Sequence, residues 1–251
     1  MSVIDRVLEA ISHMCRLIGG SADGGQALER DGVIAAVVPA APERAVVNSV
    51  VYTTPDGLAA AYDDIASAYG EIGANWTVWV RPRDDEAARF LGSRGHVLDA
   101  QPMAMIHDLK DVERPAADAL TDWTAEGDLA EVGPINDRAY GFGTDSFTRA
   151  LGRWPDGSTH VYIARDAGRP VACLLMTDHE GNSDLELVAV LPEARGRGLS
   201  GKLLGHALAD AAERGNETST LVATELGYPV YERAGYRALE RVPMWERRAG
   251  V

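Results

Sequence analysis

The stretch Ala194-Arg-Gly-Arg-Gly-Leu-Ser-Gly-Lys-Leu-Leu204, ARGRGLSGKLL, fits three phosphate-binding loops at once. Gly196, Gly201 and Lys202 have the spacing G-x-x-x-x-G-K of a nucleoside-triphosphate loop, and Gly196, Gly198 and Gly201 have the spacing G-x-G-x-x-G of a dinucleotide loop. Arg195 and Gly198 also give [QR]-x-x-G-x-[GA], the acyl-coenzyme A loop, with Ser200 at its last position. The residues around the stretch decide among the three.

The triphosphate loop needs Ser or Thr directly after its lysine to hold magnesium, and Leu203 stands there. The dinucleotide loop opens a series of parallel strand-helix units, with an acidic residue about 20 positions on. Glu217 and Glu225 fall near that distance, but Glu225 lies past the apolar core of the next strand and the chain soon ends. The third pattern needs a strand entering the loop and a helix leaving it, so that free N–H groups and the helix dipole face a pyrophosphate. LELVAVLPEARGRGLSGKLL supplies both. Gly196 and Gly198 let the backbone approach phosphate, Arg195 and Arg197 offset its charge, and Ser200 and Gly201 leave the helix start open.

Outward from the loop, apolar periodicity predicts a helix near 129–140, a meander of strands at 160–164, 171–176 and 184–191, and a helix over 199–214. A strand at 218–224, a short helix around 229–233 and a last strand after Tyr236 follow. The first half reads as an amphipathic helix over residues 3–18, strands at 33–38 and 45–52, and a helix over 58–69. The strand NWTVWVR, a helix near 85–91 and a strand over 103–106 complete it. DVERPAA, residues 111–117, is charged, contains a proline and reads as a linker. One echo joins the halves: strand, helix and Leu91-x-x-x-Gly95-His96 in the first, strand, helix and Tyr231-x-x-x-Gly235-Tyr236 in the second. Where the second copy has PEARGRGLSG the first has TTPDG, so its phosphate loop is lost.

The segment VAVLPEARGRGLSG (188–201), together with YERAGY (231–236), resembles the GNAT superfamily of acyl-CoA-dependent N-acetyltransferases. The resemblance covers about 128–246, and the first half is similar to the degenerate N-terminal copy of tandem GNAT proteins. It implies an α/β fold of two GNAT-like domains, 1–112 and 118–251, each a mixed, mostly antiparallel sheet flanked by helices. Ser200, where the family prefers Gly or Ala, is the visible departure. The resemblance implies that Val188, Ala189 and Val190 offer main-chain groups to the pantetheine arm of acetyl-CoA, and that Arg195, Gly196, Arg197, Gly198, Leu199, Ser200 and Gly201 hold its pyrophosphate.

The resemblance gives Tyr231 the role of general acid to the departing thiolate; a phenol with an ordinary pKa near 10 suits a basic sulfur. The ordinary alternative is a tyrosine packing the last helix onto the sheet, and Tyr228 lies three residues off the motif. A base must take the amine proton. Glu186 is the first choice, because strand alternation points it to the face of Val188 and Val190; a solvated or salt-bridged glutamate is the ordinary alternative. Glu225 and His160 are reserves, while His179, in DHEGN, reads as a solvated turn. Trp76, Trp79 and Tyr69 read as core.

With 38 acidic and 24 basic side chains among 251 residues, the formal charge of -14 argues against nucleic-acid or anionic-membrane binding. It leaves room for a cationic acceptor such as a polyamine or aminoglycoside. Cys15 and Cys173 read as buried thiols of a reducing compartment, and nothing points to a metal. No apolar run reaches the roughly 18 to 20 residues of a membrane span. The expectation is a cytoplasmic acetyltransferase, monomer or homodimer, acting on a small-molecule or peptide amine by direct transfer. A non-catalytic acyl-CoA-binding or partner-binding module, or an NAD-dependent enzyme, are its rivals.

Overall fold

The computed structural model describes residues 2–116, 120, 122–142, 145–152, 154 and 157–250. The chain opens with α1 (Val3–Ser21), started by a capping box in which the Ser2 hydroxyl accepts from the Asp5 N–H and the Asp5 carboxylate accepts from the Ser2 N–H. Then come β1 (Gln26–Arg30), β2 (Val33–Val37), β3 (Ser49–Tyr52), α2 (Pro55–Glu71), β4 (Trp76–Trp79), α3 (Asp85–Ser93) and β5 (Val97–Ala100). The second series is β6 (Met103–Asp108), β7 (Trp123–Thr124), α4 (Leu129–Ala139), α5 (Ser146–Leu151), β8 (Thr159–Asp166), β9 (Arg169–His179) and β10 (Asn182–Val190). A 3₁₀ turn, Pro192–Ala194, leads through the loop to α6 (Leu199–Glu213), β11 (Thr218–Ala223), α7 (Tyr228–Arg233), β12 (Arg237–Arg241) and β13 (Met244–Arg247).

Two sheets form, each mostly antiparallel. The first runs β1-β2-β3-β4-β13-β5, with β3 and β4 parallel, and the second runs β12-β6-β11-β10-β9-β8-β7, with β10 and β11 parallel. The last strand of each half therefore sits in the sheet of the other half. Two compact units result: Met1–Pro102, Arg149–Trp154 and Glu240–Val251 make one, Met103–Thr148 and Pro155–Leu239 the other. This corrects the linear division at 112 and 118, because β6 belongs to the second unit and β13 to the first. Ala117, which ends the expected linker, lies outside the described residues.

In the first unit the apolar stripe of α1, including Val7, Leu8, Ile11, Met14, Cys15 and Ile18, is buried. Tyr62, Ile65, Tyr69, Trp76 and Val78 form the centre of the core around α2. Tyr69 stacks on Trp76 at 4.8 Å, and Trp79 donates its indole N–H to the Ser49 hydroxyl at 2.9 Å, so these aromatics are core, as expected. The helix following the parallel pair's first strand is closed at its start. The Thr54 side chain accepts from the Gly57 N–H, Pro55 removes one donor and Asp56 adds negative charge. That helix start is satisfied from within the chain.

In the second unit Leu174, Leu175 and Met176 of β9 are completely buried, and Leu203, Leu204, Ala207 and Leu208 present the apolar face of α6. The echo between the halves is a shared turn of structure. The His96 N–H donates to the Leu91 carbonyl at 3.1 Å and the Tyr236 N–H to the Tyr231 carbonyl at 3.0 Å, each through a glycine at positive φ, Gly95 at 85° and Gly235 at 97°. Only the second copy carries a tyrosine at the head of that turn.

Candidate active site

The parallel pair β10–β11 is registered from Asn182↔Thr218 to Asp184↔Thr220, and pairing ends there. Beyond that point Leu185–Val190 and Leu221–Ala223 no longer pair with each other, and the gap between them is the candidate cleft. The parting has a local cause in β10. Between Glu186 and Ala189 the register to β9 slips by one residue, and Leu187 adopts φ 52°, a left-handed conformation that is costly for a branched side chain. Its carbonyl is held in place, accepting from the Asn136 amide at 3.2 Å and the Cys173 thiol at 3.5 Å.

The bulge overturns one expectation. Simple alternation places Glu186 on the face of Val188 and Val190, but the inserted residue shifts the phase. Glu186 pairs with Leu175 and Ala189 with Cys173, so they share one face with Asp184, which pairs with Thr177; Val190 pairs with Ala172 and belongs to the other face.

That face carries a buried polar ladder. The Thr218 hydroxyl donates to Asn182 Oδ1 at 2.9 Å, Asn182 Nδ2 to the Thr220 hydroxyl at 2.7 Å, and Thr220 to Asp184 Oδ1 at 2.6 Å. Asp184 is 5% exposed, and Glu186, the next residue on that face, is half-buried. Burial raises the proton affinity of both carboxyls, and each feels the other.

Tyr231 stands on α7 across the cleft. Gly227 makes room for its ring: a Cβ there would lie 2.9 Å from Tyr231 Cε2. The ring meets Tyr236 edge-on at 6.1 Å, and Tyr236 is fixed by the Ser219 hydroxyl at 2.6 Å. Burial pushes the Tyr231 phenol above its ordinary pKa, helped by Tyr140 and Glu186. Its hydroxyl has no hydrogen-bond partner among the described residues.

After β10 the chain turns through Gly196 at φ 76° and Gly198 at φ 72°, both left-handed, and Gly198 caps α6. No side chain bonds the first turn of α6, and that turn holds no acid. A Cβ at Gly196 or Gly201 would meet nothing within 4 Å, so both glycines border open space. The N–H groups of Leu199, Ser200 and Gly201 therefore start a helix with no side-chain cap, and the positive end of its dipole lies beside open space.

Two features were not foreseen. Tyr140, which follows α4, donates its hydroxyl to the Val188 carbonyl at 3.2 Å, and Arg195 Nε donates to the Val190 carbonyl at 3.2 Å while Nη2 donates to Ala139 at 2.6 Å. Side chains thus occupy two of the main-chain acceptors on the cleft edge. Arg197 pairs with Asp166 at 2.8 Å on the surface. The reserve bases lie apart: Glu225 is exposed, and His160 faces Asp178 at 3.3 Å, where Arg214 already binds the same carboxylate. Cys173 is 1% exposed and burial pushes its thiol up to about 12, which leaves it protonated and inert as a nucleophile. Among the described residues no group of three His, Cys, Asp or Glu side chains could hold a metal, and no helix is long and apolar enough to cross a membrane.

A family model described as an acetyltransferase (GNAT) domain matches residues 157–238, which span β8 to the start of β12. Among solved structures, a GCN5-related N-acetyltransferase from Kribbella flavida is similar over 97% of this chain and 96% of its own, with TM-score 0.67 and 17% identity. A GCN5-related N-acetyltransferase from Sphaerobacter thermophilus covers 97% and 95% of the two chains at TM-score 0.57 and 18% identity. A tandem GNAT protein from the clavulanic acid biosynthesis pathway covers 87% and 79% at TM-score 0.53 and 16% identity. At these identities the likeness is one of fold, and it runs through both halves. No curated protein matches the sequence.

Proposed function

We propose that this chain, which a GNAT acetyltransferase-domain model matches over residues 157–238, transfers an acetyl group from acetyl-CoA directly to a primary amine. The observation that carries this reading is the side-chain-free start of α6 beside the parted strands β10 and β11, with an unpartnered Tyr231 phenol across the opening. Leu199, Ser200 and Gly201 offer N–H groups to the pyrophosphate, with Gly196 and Gly198 giving the backbone its concave turn. Val188, Ala189 and Val190 pair with the pantetheine arm as an added strand would, and Arg197 exchanges Asp166 for phosphate.

Tyr231, protonated across the physiological range, delivers its proton to the sulfur as the C–S bond breaks. Glu186 takes the proton of the attacking amine. The acids Asp184 and Glu186 favour an acceptor that arrives as a cation, a small molecule or peptide amine. The reaction calls for neither metal nor nucleic acid, and we place it in the cytoplasm.

The test begins with thermal shifts in acetyl-CoA, coenzyme A, NAD and ATP with magnesium, since a ligand of the folded state raises its stability. A shift with both CoA species that weakens in Arg197→Ala is expected. A shift with NAD or ATP alone would defeat the loop assignment. With an acceptor in hand, Tyr231→Phe is expected to lower kcat by about 10²-fold or more while leaving acetyl-CoA affinity within about threefold; unchanged turnover would remove Tyr231 from its role.

A further inference from the structure

Asp184 and Glu186 lie two residues apart on one face of β10, before the bulge. Among the described residues neither carboxyl is ion-paired with a cation. Two carboxyls on one strand face without a counter-ion, Asp184 buried and Glu186 half-buried, each raise the other's proton affinity. The hydrogen bonds around Asp184 add a direction. Asn182 Nδ2 can only donate, so at 2.7 Å it makes the Thr220 oxygen an acceptor, and the Thr220 proton must then go to Asp184 Oδ1 at 2.6 Å. Asp184 Oδ1 is thereby held as an acceptor, which leaves Oδ2 and the Glu186 carboxyl to share one proton. Among the described residues the titratable groups around the pair are tyrosines and a thiol: Tyr231 on α7 feels Tyr140 and Glu186, Tyr236 before β12 feels Asp184 and Tyr231, and Cys173 on β9, opposite Ala189, feels burial and stays protonated.

Resting on the acetyltransferase reading above, we propose that Asp184 and Glu186 act as one base holding a shared proton, with Asp184 the positioning residue fixed by Thr220 and Asn182. In the resting state the pair carries one proton and one negative charge. As the amine nitrogen bonds to the thioester carbonyl, an N–H proton passes to the pair, which becomes neutral. The C–S bond breaks with its electron pair leaving on sulfur, and Tyr231 gives its phenolic proton to that sulfur. The pair then returns one proton to the tyrosinate through solvent, so both groups end as they began and nothing is oxidised or reduced. A single glutamate in the same place would need to be fully ionised before each turnover; the pair avoids this by accepting a second proton while keeping the first.

The experiment reads the protons themselves, on the full chain, by infrared spectroscopy of the carboxyl stretch across pH. It is paired with the pH dependence of kcat/KM. A neutral carboxylic acid band that persists at neutral pH is expected, and it is expected to vanish in Glu186→Gln. In Asp184→Asn the amide oxygen still accepts from Thr220, but the like charge is gone, so the band midpoint moves down by about one to two pH units, while the acid limb of kcat/KM does not follow it down, because the pair's lower proton step is gone. Thr220→Val keeps the charge and removes the donor to Asp184, so the band midpoint moves upward; this variant also serves if Asp184→Asn does not fold. A band absent from the unmodified protein, or midpoints that do not move in opposite directions in the two variants, overturns the shared proton. The band titrates whether or not acetyl-CoA is a substrate, so a persistent, Glu186-dependent band without turnover counts against the acetyltransferase reading and leaves the pair standing.

Discussion

At the scale of single residues, His96 shows how a buried polar side chain ties local chemistry to stability. It is 3% exposed, donates from Nδ1 to the Trp245 carbonyl at 3.1 Å, and accepts at Nε2 from the Tyr62 hydroxyl at 3.1 Å, while Arg247 donates to that hydroxyl at 3.0 Å. The Arg247 donation leaves the Tyr62 proton for His96, which fixes the neutral tautomer. Burial, with Arg247 nearby, lowers its pKa from 6.5 to about 4. The unfolded chain therefore binds the extra proton first as pH falls, so the contribution is complete above about pH 6.5 and is lost on descending to about pH 4. Its size is about 3 kcal/mol. Trp76, whose ring lies 4.5 Å from the imidazole, reports the transition. We expect the urea midpoint by tryptophan fluorescence to fall between pH 7 and pH 4.5, and His96→Gln to fall distinctly less; equal slopes would assign the loss to other groups. Gly235 is constrained differently, since at φ 97° a Cβ would come 2.5 Å from His107 Nε2.

At the scale of elements, legibility divides cleanly. The strand, loop and α6 were readable because glycine spacing, apolar periodicity and the absent cap residue are local properties. The Leu187 bulge was not, since the left-handed turn there is held by Asn136 and Cys173, 51 and 14 positions away. The role of Asp184 was half legible: its i, i+2 relation to Glu186 stands in the sequence, but the Thr220 hydrogen bond depends on strand pairing. Tyr140 carried no signal at all. Its hydroxyl on the Val188 carbonyl and Arg195 on the Val190 carbonyl satisfy the parted edge of β10 in the way a ligand amide would. An acyl-CoA arm pairing with this edge must displace such a bond, and one net hydrogen bond contributes about 1 kcal/mol. Tyr140→Phe is accordingly expected to tighten coenzyme A binding by about fivefold in isothermal titration. Weaker binding in this variant would mean that Tyr140 contacts the ligand instead of competing with it.

At the scale of the whole molecule, the chain folds as two units that are not two consecutive halves. Periodicity could find β6 as a strand but not its sheet, because strand partners separated by over 100 residues leave no mark in local composition: Met105 pairs with Leu221 and Trp245 with Val78. The linear division at 112 and 118 therefore cuts both sheets. A fragment covering 118–251 lacks β6, which lies between β12 and β11, and so exposes the backbone of the strand that flanks the candidate cleft. A fragment covering 1–112 lacks β13, which lies between β4 and β5 and supplies the Trp245 carbonyl to His96 and the Arg247 guanidinium to Tyr62. Each fragment loses an interior strand, with its two ladders of hydrogen bonds and the apolar face packed beneath it, and interior strands cannot be replaced by water without unpairing both neighbours. Expressed separately, both fragments are expected to be insoluble or to melt without a cooperative transition, and the later one to show no shift with acetyl-CoA. Expressed together, they are expected to co-purify as a one-to-one complex, with each half donating its last strand to the other's sheet and the acetyl-CoA shift restored. A later fragment that melts cooperatively and binds acetyl-CoA alone would show that β6 is dispensable to the site, and that the exchange of strands serves the first unit only.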